Sequence, residues 1–211
     1  MSKIKQKSLV DIVFEDLKNR IINEDIKGGE KISEQQMAEI LGVSRTPIRE
    51  AIRRLSEYGL VNLNPRTNAT VSIITKKEAI DISRVRNVLE NLTISLICSS
   101  KEIDLSRAKS RADACIEALK TRDRATLFQE DSKFHLELAK ATNNQTLVTH
   151  IQKTDAQVLK IRIAQSLPLD SLKKYYMQHF ELLELLESSN ELEADKLLYD
   201  HIFHDLKFQN E

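Results

Sequence analysis

The chain has 211 residues, 30% of them charged, yet Lys+Arg and Asp+Glu balance at 32 each. No overall field therefore argues for nucleic acid or membrane, and with four Gly, three Pro and no Trp the composition weighs against a large β-fold and for helix. No apolar run approaches the roughly 18–20 residues of a membrane span, the start MSKIKQKSLVDIVFEDLK lacks the apolar core of an export signal, and Cys98 and Cys115 make neither a disulfide framework nor a metal motif, so a cytoplasmic, mainly α protein with two buried thiols is expected.

The first predicted element covers roughly 8–24, where Leu9, Ile12, Val13, Leu17, Ile21 and Ile22 recur at helical intervals. KGG at 27–29 closes it. A second helix begins at Ser33, with Gln36 three residues on as a capping box. Met37, Ile40 and Leu41 give its apolar face, and Gly42 ends it. A third helix follows in SRTPIREAIRRLSEYG. Pro47 sits in its first turn, where the missing N–H is not needed. Ile48, Ala51, Ile52 and Leu55 form a buried stripe at i, i+3, i+4 and i+7. The period then changes: LVNLNP and ATVSII alternate around PRTNA, which predicts a small β-hairpin. From Lys76 the pattern is helical, with six helices expected over roughly 76–100, 104–121, 123–141, 144–166, 169–188 and 191–209. Asp104, Asp123, Asn144, Asp170 and Asn190 stand near the breaks as candidate caps. The boundary between the two parts falls near 74–77, giving domains 1–75 and 76–211.

Charge is local where it matters. Residues 1–74 hold 12 Lys+Arg against 10 Asp+Glu, but four arginines, Arg45, Arg49, Arg53 and Arg54, crowd into the third helix. Arg45, Arg49 and Arg53 repeat every four residues on a face other than the apolar stripe. An exposed charged face of an ordinary bundle would look the same in isolation. A capped helix, a glycine turn, an arginine helix and a hairpin in that order make a winged helix-turn-helix, whose second helix enters the DNA major groove. Arginine's fork suits guanine O6 and N7 or phosphate, and Ser44 and Thr46 add hydroxyls at the helix start.

IKGGEKISEQQMAEILGVSRTPIREAIRRLSEYGLVNLNP resembles the DNA-binding domain of the GntR superfamily of bacterial transcription regulators, from about Leu9 to Ile74. The resemblance implies double-stranded operator DNA as a partner and a homodimer reading it. It implies that Arg45 and Arg49 contact bases and that Ser44 and Thr46 contact phosphate or base. It places Arg66, Thr67 and Asn68 at the hairpin tip in the minor groove. Asn68 stands where the family usually has glycine; Asn tolerates the left-handed conformation better than most residues.

In the helical half, Asp131 and His135 are four apart on one predicted helix, and His179 and His201 fall on the last two. One carboxylate and three imidazoles suit a divalent transition metal. Spacing alone favours a surface Asp–His pair and a satisfied core histidine, because nothing local ties His179 and His201 to the first two residues. Residues 80–206 resemble the FCD effector-binding domain of the FadR subgroup, whose pattern is Asp-x-x-x-His and then one histidine on each of the two final helices. The resemblance implies that Asp131, His135, His179 and His201 hold a metal (zinc, nickel or manganese) and that a small carboxylate effector binds beside it. Arg86 is the candidate carboxylate partner, or else the i+4 ion-pair partner of Glu90. His150 and His204 fall outside the pattern. A ligand-responsive regulator is the expected function, and not an enzyme; a metal-dependent hydrolase and an effector-independent DNA-binding protein are the alternatives.

Overall fold

The leading helix, Leu9–Ile22 (α1), starts at a complete capping box. Ser8 Oγ accepts from the Asp11 N–H at 3.1 Å, and Asp11 returns the bond to the Ser8 N–H at 3.0 Å. These contacts come from a computed structural model that describes residues 8–63, 69–100, 102–165 and 167–203. A two-residue strand, Lys31–Ile32 (β1), follows, then Glu34–Leu41 (α2) and Arg45–Glu57 (α3). Ser33 Oγ caps α2 by accepting from the Gln36 N–H, but among the described residues Gln36 does not return the bond, so this cap is half of the expected box. Gly42 closes α2 in the left-handed region at φ 64°, where a side chain would be strained. The α3 stripe is buried as patterned, with Ile48, Ala51 and Leu55 fully covered.

Strands Val61–Asn62 (β2) and Ala69–Val71 (β3) form the expected hairpin, and β1 joins them. The sheet is three-stranded in the order β1-β3-β2, antiparallel throughout, with Ile32 opposite Ala69 and Val61 opposite Val71. The hairpin tip, including Arg66, Thr67 and Asn68, lies outside the described residues.

Six helices complete the chain: Lys76–Cys98 (α4), Ser106–Lys120 (α5), Arg124–Ala141 (α6), Gln145–Gln165 (α7), Leu169–Glu187 (α8) and Glu191–Phe203 (α9). A second full capping box, Thr75 with Glu78, starts α4. Asp123 and Asn144 cap as expected, each accepting an N–H three residues on at 3.0 Å. Asp104 bonds the Ser106 N–H one residue ahead of the cap position, and Asp170 lies inside the first turn of α8, so neither is the cap. The alanines Ala108, Ala112 and Ala118 of α5 are buried, and their small side chains let α5 pack close to α6. Phe134, Leu138, Leu182, Leu186 and Leu198 fill the centre of the bundle. Cys115 is buried, and burial pushes its thiol up to about 12; Cys98 is only partly covered.

The chain divides into two compact units, Met1–Ile73 and Ile74–Glu211. No helix among the described residues is long and apolar enough to cross a membrane.

Candidate functional site

In the first unit, α3 carries the arginines because its other face is spent on the core. Arg45, Arg49 and Arg53 are exposed together with Ser44 and Thr46. Ser44 is the N-cap residue in extended conformation, and its side chain makes no capping bond. Arg54 is different. Its Nη1 donates to Asp11 Oδ1 at 2.7 Å, and its guanidinium lies 4.3 Å over the Phe14 ring, so it ties α3 to α1. Ser8 and Arg54 together hold the Asp11 carboxyl down at about 2. Arg49 is held by Glu34 of α2 through both oxygens of the carboxylate.

In the second unit, the fold brings the four sequence-selected residues together. Donor atoms of Asp131 and His135 on α6, His179 on α8 and His201 on α9 all lie within 4.8 Å of one another, and all four residues are buried. Asp131 Oδ1 lies 3.2 Å from His179 Nε2 and 3.8 Å from His135 Nε2. Donor atoms about 2.1 Å from one ion sit roughly 3–4 Å apart, and both of these Asp131–histidine distances fall in that range.

The ring orientations fit as well. His135 Nε2 contacts Arg86 Nη2 at 2.8 Å. Arginine has no acceptor, so Nε2 carries the lone pair and the proton is on Nδ1, which lies 2.8 Å from Glu90 Oε2. His201 Nδ1 lies 3.2 Å from Gln178 Oε1, an acceptor, which puts its lone pair on Nε2. His201 thus has its outer nitrogen on an acceptor and Nε2 left for a ligand, the pattern of metal-bound histidine, whereas His135 Nε2 accepts from Arg86. Among the described residues neither ring nitrogen of His179 nor His201 Nε2 has a hydrogen-bond partner. Orphaned buried polar atoms of this kind are costly unless something binds them. Phe134 stacks on His179 at 3.9 Å and Tyr175 on His201 at 4.0 Å, which fixes both rings.

Burial holds all three imidazoles below the ordinary histidine value. For His135, Glu90 partly offsets the effect; for His179 and His201, neighbouring histidines and the arginines add to it. Neutral imidazole is the form that binds metal. Burial disfavours charge on Glu90, but Arg86 and His135 beside it win and hold its carboxyl at about 2. Arg86 Nε donates to Glu90 Oε1 at 2.6 Å, so the i+4 ion pair is present. Arg162 of α7 pairs with Asp131 Oδ2, opposite the oxygen that faces the histidines. Arg86, Val158 and Arg162 line both of two adjoining pockets. One encloses about 520 Å³ including its mouth, bounded also by Arg124, Phe128 and Tyr175. The other, about 310 Å³, reaches Glu90 and His135. The sequence pattern did not single out Arg162, Gln178 or Tyr175. The one signal for Arg162 is a charge set among Val158, Leu159 and Ile161, all buried. His150 is exposed, and His204 lies outside the described residues.

A winged helix-turn-helix joined to a separate helical unit with a buried Asp–His cluster defines the class as a DNA-binding regulator. Residues 9–71 match the bacterial regulatory proteins of the gntR family, and residues 81–204 match the FCD domain. The chain belongs to the GntR family of transcription regulators, in the subfamily with a C-terminal FCD domain; this is a family of regulators, not of enzymes. It is 27% identical over 194 residues to the HTH-type transcriptional regulator YdhC of Bacillus subtilis, covering 91% of this chain and 87% of that one. It is 23% identical over 217 residues to the HTH-type transcriptional repressor NanR of Enterobacter, covering 93% and 84%. A GntR regulator from Rhodococcus shares the fold at TM-score 0.77 and 22% identity, over 95% of this chain and 96% of that one.

Proposed function

We propose that the protein is a homodimer whose N-terminal domains (1–75) read a two-fold symmetric operator. Its C-terminal domains (76–211) hold a divalent transition metal at Asp131, His135, His179 and His201, with a small carboxylate effector beside it. Zinc, nickel and manganese all suit this donor set. Bound there, the metal supplies a Lewis-acidic position at which a carboxylate oxygen can complete the coordination. The observation that carries this reading is His201, whose Nδ1 lies against Gln178 Oε1 while its buried Nε2 has no partner among the described residues, in one cluster with His135, whose Nδ1 lies 2.8 Å from Glu90 Oε2.

Charge supports the effector class. The buried ionic groups at the site are Arg86, Arg162, Glu90 and Asp131, two of each sign, beside three neutral histidines. A divalent cation added to that set leaves two positive charges uncompensated in a site shielded from water, which favours an anionic ligand. Ligation at His135 Nε2 would leave the Arg86 Nη2 donor without its present acceptor, free to meet a carboxylate. An effector that prefers one arrangement of the dimer then shifts its population toward or away from the arrangement that fits DNA. On the DNA side, Arg45 and Arg49 contact bases, Ser44 and Thr46 contact phosphate or base, and Arg66 and Asn68 follow the minor groove.

Elemental analysis of the untagged protein beside a His179→Ala variant tests the site. About one transition metal per chain in the wild type and none in the variant is the expected result. No metal after incubation with zinc, nickel and manganese would assign the four residues a structural role. Operator titrations at fixed salt, with and without small carboxylates, then test the effector, since phosphate contacts make affinity steeply salt-dependent.

A further inference from the structure

The arginine helix has an acidic partner that DNA binding by itself does not explain. Glu34, in the first turn of α2, grips Arg49 of α3. Arg49 Nε lies 3.1 Å from Glu34 Oε1 and 3.3 Å from Oε2, and Arg49 Nη2 lies 2.9 Å from Oε2. The Arg49 side chain is 57% exposed and the Glu34 side chain 27%. Arg49 lowers the Glu34 carboxyl below its usual range despite partial burial, and Arg45 and Arg53 add to the pull, so the carboxylate sits among three arginines of the DNA-facing helix. A negative charge in that place weakens phosphate attraction, so its presence calls for a compensating role.

We infer that Glu34 is a positioning residue for operator reading: it holds the Arg49 guanidinium by one edge so that the other edge is presented to a base. The geometry allows both at once. A guanidinium carries five N–H donors in a planar fork. Glu34 engages Nε–H and one Nη2–H. The remaining Nη2–H and the two on Nη1 form the end edge, which matches guanine O6 and N7. Released from Glu34, a half-exposed arginine samples its rotamers and finds phosphates, which surround every sequence alike. Discrimination then falls while affinity for arbitrary DNA rises. The inference rests on the reading of Arg49 as a base contact, and it predicts that lysine cannot replace Arg49, because a lone ammonium has no second edge.

The test uses the full-length wild type, Glu34→Gln, Glu34→Asp, Arg49→Ala and Arg49→Lys. The probes are a duplex selected by the wild type from a random-sequence pool and a scrambled duplex of equal length. The ratio of the two Kd values, its salt dependence and the melting temperature are read for each chain. Arg49→Ala and Arg49→Lys are expected to lower the ratio roughly tenfold or more. Glu34→Gln is expected to lower it on the order of tenfold at an unchanged melting temperature, chiefly by tightening on the scrambled duplex. Its salt slope should steepen by about 0.9, the signature of one further phosphate neutralised by the freed arginine. Glu34→Asp keeps the charge but loses reach, and is expected to lower the ratio too, which separates positioning from charge and serves if Glu34→Gln folds poorly. A ratio that Arg49→Ala leaves intact removes the base contact, and with it the role of Glu34. A ratio that falls in Arg49→Ala but stays at the wild-type value in both Glu34 variants keeps the base contact and overturns the role of Glu34. Equal tightening of Glu34→Gln on both duplexes, with Glu34→Asp unchanged, also overturns it, leaving Glu34 as a mere repelling charge.

Discussion

The two units of this chain place their arginines in opposite environments. In the first, Arg45, Arg49 and Arg53 stand in water on one face of α3, and the pair Arg49–Glu34 is open to solvent. In the second, Arg86 and Arg162 are buried against Glu90 and Asp131, and Asp131 is fully covered. Exposed pairs are cheap to make and worth little to stability, so an exposed arginine is available to a partner. Buried pairs are costly to form and costly to break, so a buried arginine is part of the architecture of a site.

The largest expected contrast comes from removing one buried partner. Asp131→Ala leaves Arg162 charged and unpaired beneath the surface, and should destabilise the second unit by about 3–5 kcal/mol, read from its denaturant midpoint. Acidification should sharpen the division further, because all five histidines lie in the second unit. His135, His179 and His201 have folded-state values below the unfolded 6.5, so below that pH the unfolded chain binds more protons than the folded one. Their contribution is full above about pH 6.5 and is lost as pH falls, by about 1.4 kcal/mol per pH unit for each imidazole that stays neutral when folded. Residue-resolved hydrogen exchange between pH 7 and 5 should show protection falling in α6, α8 and α9 before α1 and α3. Glu90→Gln should weaken metal affinity by about 10- to 100-fold, measured by competition with a chromophoric chelator, because it loosens the hold on His135 Nδ1. The smallest effect should be Arg54→Ala in the first unit. The pair with Asp11 is only half-buried, and the melting temperature should drop less than for any fully buried change.

Local pattern carries most of the fold. The helices α1 to α9 announce themselves by apolar spacing and by caps such as Asp123 and Asn144. Strand β1 does not, because two residues cannot display an alternation, and only its pairing with β3 defines it. The capping boxes at Ser8 and Thr75 use Asp11 and Glu78 in the N3 position; the one at Ser33 uses Gln36, which does not return the bond. The four residues of the buried cluster are legible in part. Asp131 and His135 share a helix turn, whereas His179 and His201 join them only through the packing of α8 and α9, and family resemblance had to supply that step. Arg162 and Gln178 were out of reach because each acts on a residue from a distant part of the chain, as does Glu90 in its contact with His135. The Arg86–Glu90 pair was one of two open readings, and the structure gives Arg86 that pair together with a contact to His135.

The site draws on five of the six helices of the second unit: α4 through Arg86 and Glu90, α6, α8 and α9 through the four cluster residues, and α7 through Arg162. A ligand seated among them acts as a cross-link that is made or unmade with its supply. Openings of the bundle that expose chain to proteases become rarer as the ligand saturates the native form. The number of regulator molecules in a cell, and not only their affinity for DNA, would then follow the availability of what the site binds.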